Sequence, residues 1–256
     1  MKTVLTIAGS DSSGGAGVQA DLRAIESLGC RGVSAITAVT AQSMERVYGL
    51  FPLTADALQS QLSAAEEEGL NVVKLGMLAT AELVDVVADF LQRKSDLPLV
   101  SDPVLAASSG HSLLDAAGTQ LFVHRVLPLT DVLCPNAVEA GILLNRSVST
   151  LRDARRAVRE LADLGPRSVV LKGGHLQTDE VVDLLWDGES LHEFSGPRNP
   201  GPGVRGTGCV HASTLASLLA QGRELEAAAS ETAERLREYI AFSRARQISY
   251  LLPGHR

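Results

Sequence analysis

Residues 3–28 read TVLTIAGSDSSGGAGVQADLRAIESL, and three different patterns follow one another within them. Residues 4–8 are a short apolar run of strand composition that ends in a glycine-rich loop. After the loop, apolar residues recur at the three-to-four-residue spacing of a one-sided helix, at Val18, Leu22, Ile25 and Leu28. A strand, a loop and a helix in this order predict an α/β unit.

The same alternation of strand and helix patterns continues along the chain. A second one-sided apolar stripe comprises Leu83, Val87, Phe90 and Leu91. Further short β-rich runs lie at residues 32–39, 72–75, 99–101, 131–133 and 168–171. The pattern predicts an α/β fold with a mostly parallel sheet and helices on its faces. Because α/β folds of 256 residues commonly form one unit, residues 1–256 are expected to be a single catalytic domain.

Two local signals stand out near the C-terminus. Residues 181–186 and 191–194 have strand composition and flank Asp187-Gly188, a pair typical of hairpin turns, so a small antiparallel edge is expected. Apolar residues at helical spacing over 225–243 predict a long last helix, and Pro253-Gly254 is expected to end it.

Composition and charge limit the classes of function. The formal net charge of −7 and the lack of any Lys/Arg run argue against a nucleic-acid partner, because phosphate backbones are bound by clustered cations. No stretch of roughly 18 apolar residues occurs, so no membrane-spanning helix is predicted. Cys30, Cys134 and Cys209 lie far apart without a C-x-x-C pair, which favours neither disulfides nor zinc. A cytoplasmic location fits this pattern best.

The first glycine loop allows more than one interpretation. Residues 15–20 fit the G-x-G-x-x-A dinucleotide pattern, but residues 9–14 separate them from the strand, and the second strand ends without a carboxylate for a ribose. Residues 10–13 could simply cap the following helix, although capping needs one such residue and not four. A glycine loop at the carboxyl end of a strand favours ligand binding. Local sequence leaves two roles for Asp21. Its carboxylate either interacts favourably with the helix dipole or accepts a hydrogen bond from an amino group of a ligand.

The second glycine loop, residues 201–209, leads directly into another helical pattern. Glycines before a helix expose successive backbone amides, and the helix N-terminus adds partial positive charge, so the segment around Gly206, Thr207 and Gly208 is expected to hold a phosphoryl group. No P-loop motif occurs elsewhere in the chain. Cys209 falls in the first helical turn, where the pKa of a thiol is commonly lowered, and could act as a base or merely pack as a small residue.

Four further polar residues follow predicted strands. Asn136 and Glu139 could form a helix cap or hold water bound to Mg²⁺. Lys172 lies beside two glycines that would let phosphates approach. Its ammonium group could bind a phosphate, or the side chain could extend into solvent. Asp102 could help to organise magnesium or begin a turn.

Seven blocks together resemble the hydroxymethylpyrimidine (phosphate) kinases of thiamine synthesis, in order and at similar intervals over about residues 3 to 222. No single block is specific, whereas the ordered set is. The blocks are Gly9-Ser10-Asp11 with residues 13–21, Thr40-Ala41-Gln42, Lys74-Leu75-Gly76-Met77-Leu78, Asp102-Pro103-Val104, Pro135-Asn136 with Glu139-Ala140, Lys172-Gly173-Gly174-His175, and Gly206-Thr207-Gly208-Cys209.

The resemblance implies a ribokinase-like three-layer sandwich, usually a homodimer, that transfers the γ-phosphoryl group of ATP with Mg²⁺. The acceptor would be a hydroxymethyl oxygen of the aminopyrimidine, and then the resulting monophosphate. It further implies that Gly206 and Gly208 form the anion hole and that Cys209 deprotonates the acceptor. The residues around the ring would be Gly9, Asp21, Gln42 and Met77, with Asp21 and Gln42 pairing to its polar edge. Those on the Mg-ATP side would be Asn136, Glu139 and Lys172.

Four positions depart from the family pattern. Ser43 stands where Asn is usual, and Leu105 stands where Met is usual. Ser108 stands where Lys is usual, and Arg205 stands where His is usual. Without a lysine at Ser108 a charge-assisted phosphate contact is lost, and Arg205 is expected to replace it in part because guanidinium binds phosphate with two hydrogen bonds. Two alternatives remain open. One is a pyridoxal or pyridoxine kinase of the same superfamily, and the other is a vitamin-precursor binding protein without catalysis.

Overall fold

A nine-stranded sheet forms the centre of the molecule. The structure is a computed structural model and describes residues 1–43, 46–106, 113–201, 203–251 and 253. The strand order is β3-β2-β1-β4-β5-β6-β7-β8-β9. The six central strands, β2, β1, β4, β5, β6 and β7, are parallel to one another. The pairs β2 with β3, β7 with β8, and β8 with β9 are antiparallel. The strands are β1 Thr3–Asp11, β2 Arg31–Gln42, β3 Val47–Pro52, β4 Val72–Leu75, β5 Leu99–Ser101, β6 Val132–Leu133, β7 Ser168–Leu171, β8 Glu180–Trp186 and β9 Leu191–Pro197.

Helices cover both faces of this sheet, as the sequence predicts. A large apolar cluster, with Leu58, Val87 and Val158 among its members, joins one face to α2, α3 and α6, and a second cluster, with Ile25 and Leu215, joins the other face to α1, α7 and α8. The helices are α1 Gly17–Ser27, α2 Ala55–Glu66, α3 Ala81–Arg93, α4 Ala116–Leu121, α5 Ala137–Leu144, α6 Leu151–Ala162, α7 Thr207–Ala220 and α8 Leu225–Ala245. Within the described part of the chain, no helix is both long and apolar enough to cross a membrane.

The predicted strands are confirmed, and the hairpin of β8 and β9 forms the expected antiparallel edge. Two features differ. The sequence analysis missed β3, which adds a second antiparallel strand at the opposite edge. The prediction that Pro253-Gly254 ends the last helix is wrong, because α8 ends at Ala245 and Gln247 adopts a left-handed backbone with a φ of 57°. Gly254 itself lies outside the described residues.

The connections bring the glycine-rich and polar loops of the sequence to one edge of the sheet. The chain passes from β1 to β2 on one side and later returns to β4 on the other side of β1, so its direction of winding changes between β1 and β4. Ligands of open α/β sheets bind beside such a point, at the carboxyl ends of the strands. The residues that follow β1, β4, β5, β6 and β7 therefore define the region to examine.

Candidate active site

The start of α7 forms a turn of backbone amides, here called the anion turn, which comprises Gly206, Thr207, Gly208 and Cys209. Gly206 has a φ of 78°, and a side chain at this position would collide with the carbonyl oxygen of Gly15. The two glycine loops thus lie against each other. No side chain caps the helix, whose first internal hydrogen bond runs from the amide of Val210 to the Gly206 carbonyl at 2.9 Å. The amides before Val210 therefore have no partner within the helix and are oriented to meet an anion.

A buried ion pair lies directly beneath the anion turn. Lys172 Nζ is 2.5 Å from Asp102 Oδ1 and 3.7 Å from Glu139 Oε2. A Cβ atom on Gly208 would be 3.3 Å from that Nζ, which is a tight contact, so the ammonium group lies close to the turn. Burial opposes the charge of Lys172, but the Asp102 and Glu139 carboxylates outweigh burial and raise its pKa above the ordinary value. The site therefore keeps a permanent cation where a phosphate would arrive.

The Cys209 thiol differs from the prediction of a lowered pKa. Burial raises its pKa to about 12; the nearby Lys74 ammonium lowers it, while the Asp21 and Asp102 carboxylates add to the rise. The amide of Gly17 also donates to the sulfur, with a smaller lowering effect. The thiol is therefore protonated at neutral pH, because desolvation exceeds the stabilisation from Lys74 and the helix N-terminus.

Asp21 lies beneath the site and has no exposed surface. Both of its oxygens are 2.9 Å from Lys74 Nζ, Oδ2 accepts a hydrogen bond from Thr6 at 2.6 Å, and Oδ1 accepts one from Ser213 at 2.9 Å. The Asp21 carboxylate is therefore held by Lys74, Thr6 and Ser213, and its contact with a ligand stays a prediction. Asp21 lies beyond the first turn of α1, so the helix-dipole alternative does not apply.

Lys74 is the residue in this cluster whose role the sequence analysis missed. It is fully buried at the end of β4, and burial opposes its charge, but the Asp21 carboxylate raises its pKa above the ordinary value. The sequence shows only a lysine within an apolar strand, and the partner that explains it is 53 positions away in the chain.

Asn136 and Glu139 form the capping box that one interpretation of the sequence anticipated. The Asn136 side chain accepts from the amides of Val138 and Glu139, and Glu139 Oε2 accepts from the Asn136 amide at 2.7 Å. Burial raises the pKa of Glu139 to about 7, since the attraction of Lys172 offsets only part of the burial and the adjacent Asp102 charge adds to it. The cap also fixes the Glu139 carboxyl beside Lys172.

The N-terminal loop and the end of β2 form the other half of the site. Gly9 packs against the terminal methyl of Met77, where any side chain on Gly9 would collide with it. Met77 belongs to a small apolar cluster with Ala38, against which Val104 packs. The backbone of Gln42 is tied to the loop by two hydrogen bonds of 2.9 Å with the Ser12 hydroxyl. This half offers an apolar wall beside an amide side chain.

The simpler interpretation, that residues 10–13 cap α1, is wrong. Ala16 is the cap residue of α1 and no side chain caps the helix. The Asp11 carboxylate instead accepts from the amide and hydroxyl of Ser13 at 2.9 and 2.8 Å, and Gln19 donates to the Ser10 hydroxyl at 2.7 Å. The loop therefore has a fixed shape of its own.

Arg205 does not extend towards the phosphate side. Its Nη1 donates to the Ser43 carbonyl at 2.6 Å, and its Nη2 lies 3.4 Å from Asp11 Oδ2. The guanidinium is held by the N-terminal loop and the end of β2, and the expectation that Arg205 replaces a phosphate-binding lysine stays a prediction. Ser108, where that lysine is usual, lies outside the described residues.

A cavity of about 260 Å³ opens on the far side of the anion turn. Asn136, Lys172, Thr207 and Gly208 are among the residues that line it. The lining also contains residues that the sequence did not identify: Asp183, Arg198, Arg237 and Arg244. Isolated arginines between a hairpin and a helix carry no local motif, so no signal in the sequence identified them.

Comparison with known proteins shows the family to which this chain belongs. The family model for phosphomethylpyrimidine kinase matches residues 11–250. The hydroxymethylpyrimidine/phosphomethylpyrimidine kinase of Aquifex aeolicus is 36% identical over 241 residues, which cover 94% of this chain and 94% of that protein.

Two solved structures have the same fold. The phosphomethylpyrimidine kinase of Clostridium difficile has a TM-score of 0.83 and 33% identity over 94% of this chain and 100% of that one. The pyridoxal kinase of Staphylococcus aureus, in complex with AMP-PCP and pyridoxal, has a TM-score of 0.89 and 29% identity over 99% of this chain and 94% of that one. The fold is therefore ribokinase-like, and the chain belongs to the phosphomethylpyrimidine kinase family.

Proposed function

We propose that this protein transfers the γ-phosphoryl group of ATP to the hydroxymethyl oxygen of an aminopyrimidine, and then to the resulting monophosphate, in thiamine biosynthesis. One observation carries the proposal. The anion turn lies over the Lys172–Asp102 pair and against the N-terminal glycine loop, so a phosphate held by the turn would adjoin a ring held by that loop. This is the juxtaposition that transfer between two bound ligands requires.

Positioning and charge neutralisation supply most of the acceleration in this proposal. The amides of Gly206, Thr207 and Gly208 and the ammonium of Lys172 neutralise charge on the transferring group. Gly9, Gln42 and Met77 hold the ring. Cys209 acts as a base only as a thiolate, so its resting thiol first loses its proton to solvent, a loss that the Lys74 ammonium favours. The thiolate then receives the proton of the acceptor hydroxyl, and because the transition state of phosphoryl transfer is loose, that proton can leave late.

ATP and Mg²⁺ are the cofactors in this proposal, with the nucleotide in the cavity beyond the anion turn. AMP-PCP, an ATP analogue, is bound in the related S. aureus enzyme. Asp102 and Glu139 fit a magnesium ion that keeps most of its water, because hard carboxylate oxygens flank the phosphate position; Asn136 would act through water. No group of three potential metal ligands occurs among the described residues, so phosphates would complete the coordination. When bound, the ion neutralises phosphate charge.

The remaining attributes of the proposal follow from family and composition. We propose that residues 1–256 act as one kinase domain, that two copies form a homodimer, and that the enzyme works in the cytoplasm on a small molecule, without nucleic acid or membrane. The three cysteines are unpaired, which suits a reducing compartment.

Pyridoxal kinase is the second candidate, because the S. aureus pyridoxal kinase has the same fold. A parallel assay of ATP turnover with hydroxymethylpyrimidine, its monophosphate and pyridoxal separates the two. We expect the two pyrimidines to be phosphorylated with kcat/KM at least tenfold above pyridoxal. Preference for pyridoxal would contradict the proposal, and binding of the pyrimidine without turnover would favour the non-catalytic binding protein.

The same assay tests the role of Cys209. Cys209→Ala should lower kcat by about 100-fold, the typical contribution of a general base, with little change in KM. Cys30→Ala is the matched control, since Cys30 is buried in the apolar cluster beneath α7 and should retain activity. Equal activity of Cys209→Ala and Cys30→Ala would remove Cys209 from the proposed chemistry.

A further inference from the structure

Arg205 is fixed from two directions immediately before the anion turn. Its backbone pairs with the C-terminal segment: its amide donates to the Ser249 carbonyl at 2.9 Å, and its carbonyl accepts from the Leu251 amide at 3.2 Å. Its side chain crosses to Ser43 and Asp11. The guanidinium therefore has a defined position beside the end of β2.

This guanidinium faces the side-chain amide of Gln42, and the surrounding hydrogen bonds assign the amide orientation. The hydroxyl of Thr40 donates its proton to the Ser10 carbonyl at 3.1 Å, so towards Gln42 it can only accept. With the Gln42 nitrogen directed to Thr40, at 3.3 Å, the Gln42 oxygen accepts from both Nη1 and Nη2 of Arg205. The reverse orientation would place amide N–H groups against guanidinium N–H groups.

In this orientation both lone pairs of the Gln42 oxygen are used within the protein. The amide nitrogen has two protons, and Thr40 takes one of them. The other proton is what Gln42 can offer to a ligand, so the group opposite it must be a hydrogen-bond acceptor. On an aminopyrimidine that acceptor is a ring nitrogen, whereas the amino group is a donor and finds no acceptor here.

We propose that Arg205 is a specificity-determining positioning residue: by occupying the Gln42 oxygen, it makes Gln42 recognise a ring nitrogen and not the neighbouring amino group. The inference rests on the proposed function, because it concerns the ring pocket of that site. Without Arg205, Gln42 presents a donor and an acceptor side by side, the pattern that complements adjacent ring nitrogen and amino groups. Removing Arg205 therefore increases selectivity for the amino-substituted ring.

The test compares kcat/KM for hydroxymethylpyrimidine with kcat/KM for the same pyrimidine lacking its amino group. We expect the ratio of the two to rise about fivefold to tenfold in Arg205→Met, which corresponds to one added neutral hydrogen bond. Arg205→Lys, which keeps one cationic donor nitrogen in place of two, should give an intermediate ratio. Arg156→Met is the matched control, because Arg156 is an exposed arginine on α6, and its ratio should equal that of the wild type.

Gln42→Glu provides a second, independent arm. A carboxylate keeps both contacts with Arg205 but has no N–H group, so KM should rise by the same factor for both pyrimidines. An unchanged ratio in Arg205→Met and Arg205→Lys, or a KM increase in Gln42→Glu confined to the amino-substituted ring, would overturn the role of Arg205 alone. If the wild type phosphorylates neither pyrimidine, the proposed function fails and this inference fails with it.

Discussion

Two buried lysines hold the charged interior of this protein together. Lys74 pairs with Asp21 beneath the half of the site that the N-terminal loop and the end of β2 form, and Lys172 pairs with Asp102 beneath the anion turn. Each pair joins residues that are more than 50 positions apart in the chain. Because an unpaired buried charge is very unfavourable, the first pair fixes α1 against β4, and the second fixes the segments that follow β5 and β7.

Lys74→Met tests the structural role of Asp21. The substitution leaves the Asp21 carboxylate buried without its cation, so the free energy of unfolding should fall by roughly 3–5 kcal/mol. Adding Asp21→Asn removes the uncompensated charge and should restore much of that loss. Urea denaturation of both variants measures the two values. A loss below about 1 kcal/mol for Lys74→Met would show that the pair does not hold the site together.

Cys209 allows a prediction about pH. A pKa raised to about 12 leaves very little thiolate at neutral pH, so alkylation by iodoacetamide in the ligand-free protein should be at least about 100-fold slower than for a free thiol. The rate should increase steadily as pH rises from neutral towards 12, since the thiolate fraction increases over that range. Peptide mass spectrometry identifies the modified cysteine. Rapid alkylation at neutral pH would instead support the lowered pKa that helix position alone suggests.

Among the elements, the anion turn depends most on one backbone conformation. Gly206→Ala adds strain at a positive φ and pushes the turn away from Gly15, so kcat/KM should fall by roughly 100-fold, as for a displacement of about 1 Å. Gly222→Ala is the control: Gly222 follows the other end of α7 with a φ of 85° but has open space around its Cβ position. It should lose stability and keep activity. Equal kinetic effects of the two variants would mean that strain, and not the position of the turn, matters.

The bounds of the strands and helices show which elements could be predicted from the sequence. Three strands, β4, β5 and β7, have the predicted bounds, because buried parallel strands are short apolar runs between turn residues. The strand β3 was missed since its residues are largely exposed and contain a glycine, so neither burial nor alternation marks them. The end of α8 was misplaced because a left-handed Gln247, and not a proline, ends the helix.

For the site, sequence predicted the two glycine loops and the polar residues that follow the strands. It could not predict interactions that depend on packing between distant segments. The low thiol pKa expected for Cys209 followed from its helix position, whereas burial and the Asp21 carboxylate determine the opposite direction. Likewise, the guanidinium of Arg205 contacts Ser43 because the end of β2 lies beside the start of α7.

At the scale of the whole molecule, the β3 edge of the sheet carries exposed apolar side chains among the described residues. Tyr48 and Phe51 on β3 are 64% and 61% exposed, and Val39 on β2 is 41% exposed. An edge strand with exposed apolar side chains invites pairing with another chain unless it is covered. We therefore place the proposed homodimer contact at this edge.

Phe51→Glu tests this placement. A charge at the centre of a dimer contact should shift the protein from dimer to monomer in analytical ultracentrifugation, because the carboxylate would be buried without a partner. Ile142→Glu is the control, since Ile142 is an exposed apolar residue on α5, away from the β3 edge. A dimer that survives Phe51→Glu but not Ile142→Glu would move the interface to the α5 side.

At this scale we propose that the anion turn, the N-terminal loop and the end of β2 act as a single centre for transfer. A crystal structure with hydroxymethylpyrimidine and AMP-PCP bound together measures this directly. We predict the terminal phosphate within about 3 Å of the anion-turn amides, and the ring between Met77 and Gln42 with its hydroxymethyl oxygen directed at that phosphate. Nucleotide phosphates bound away from the anion turn, or a pyrimidine bound outside the loop of residues 9–17, would contradict the account.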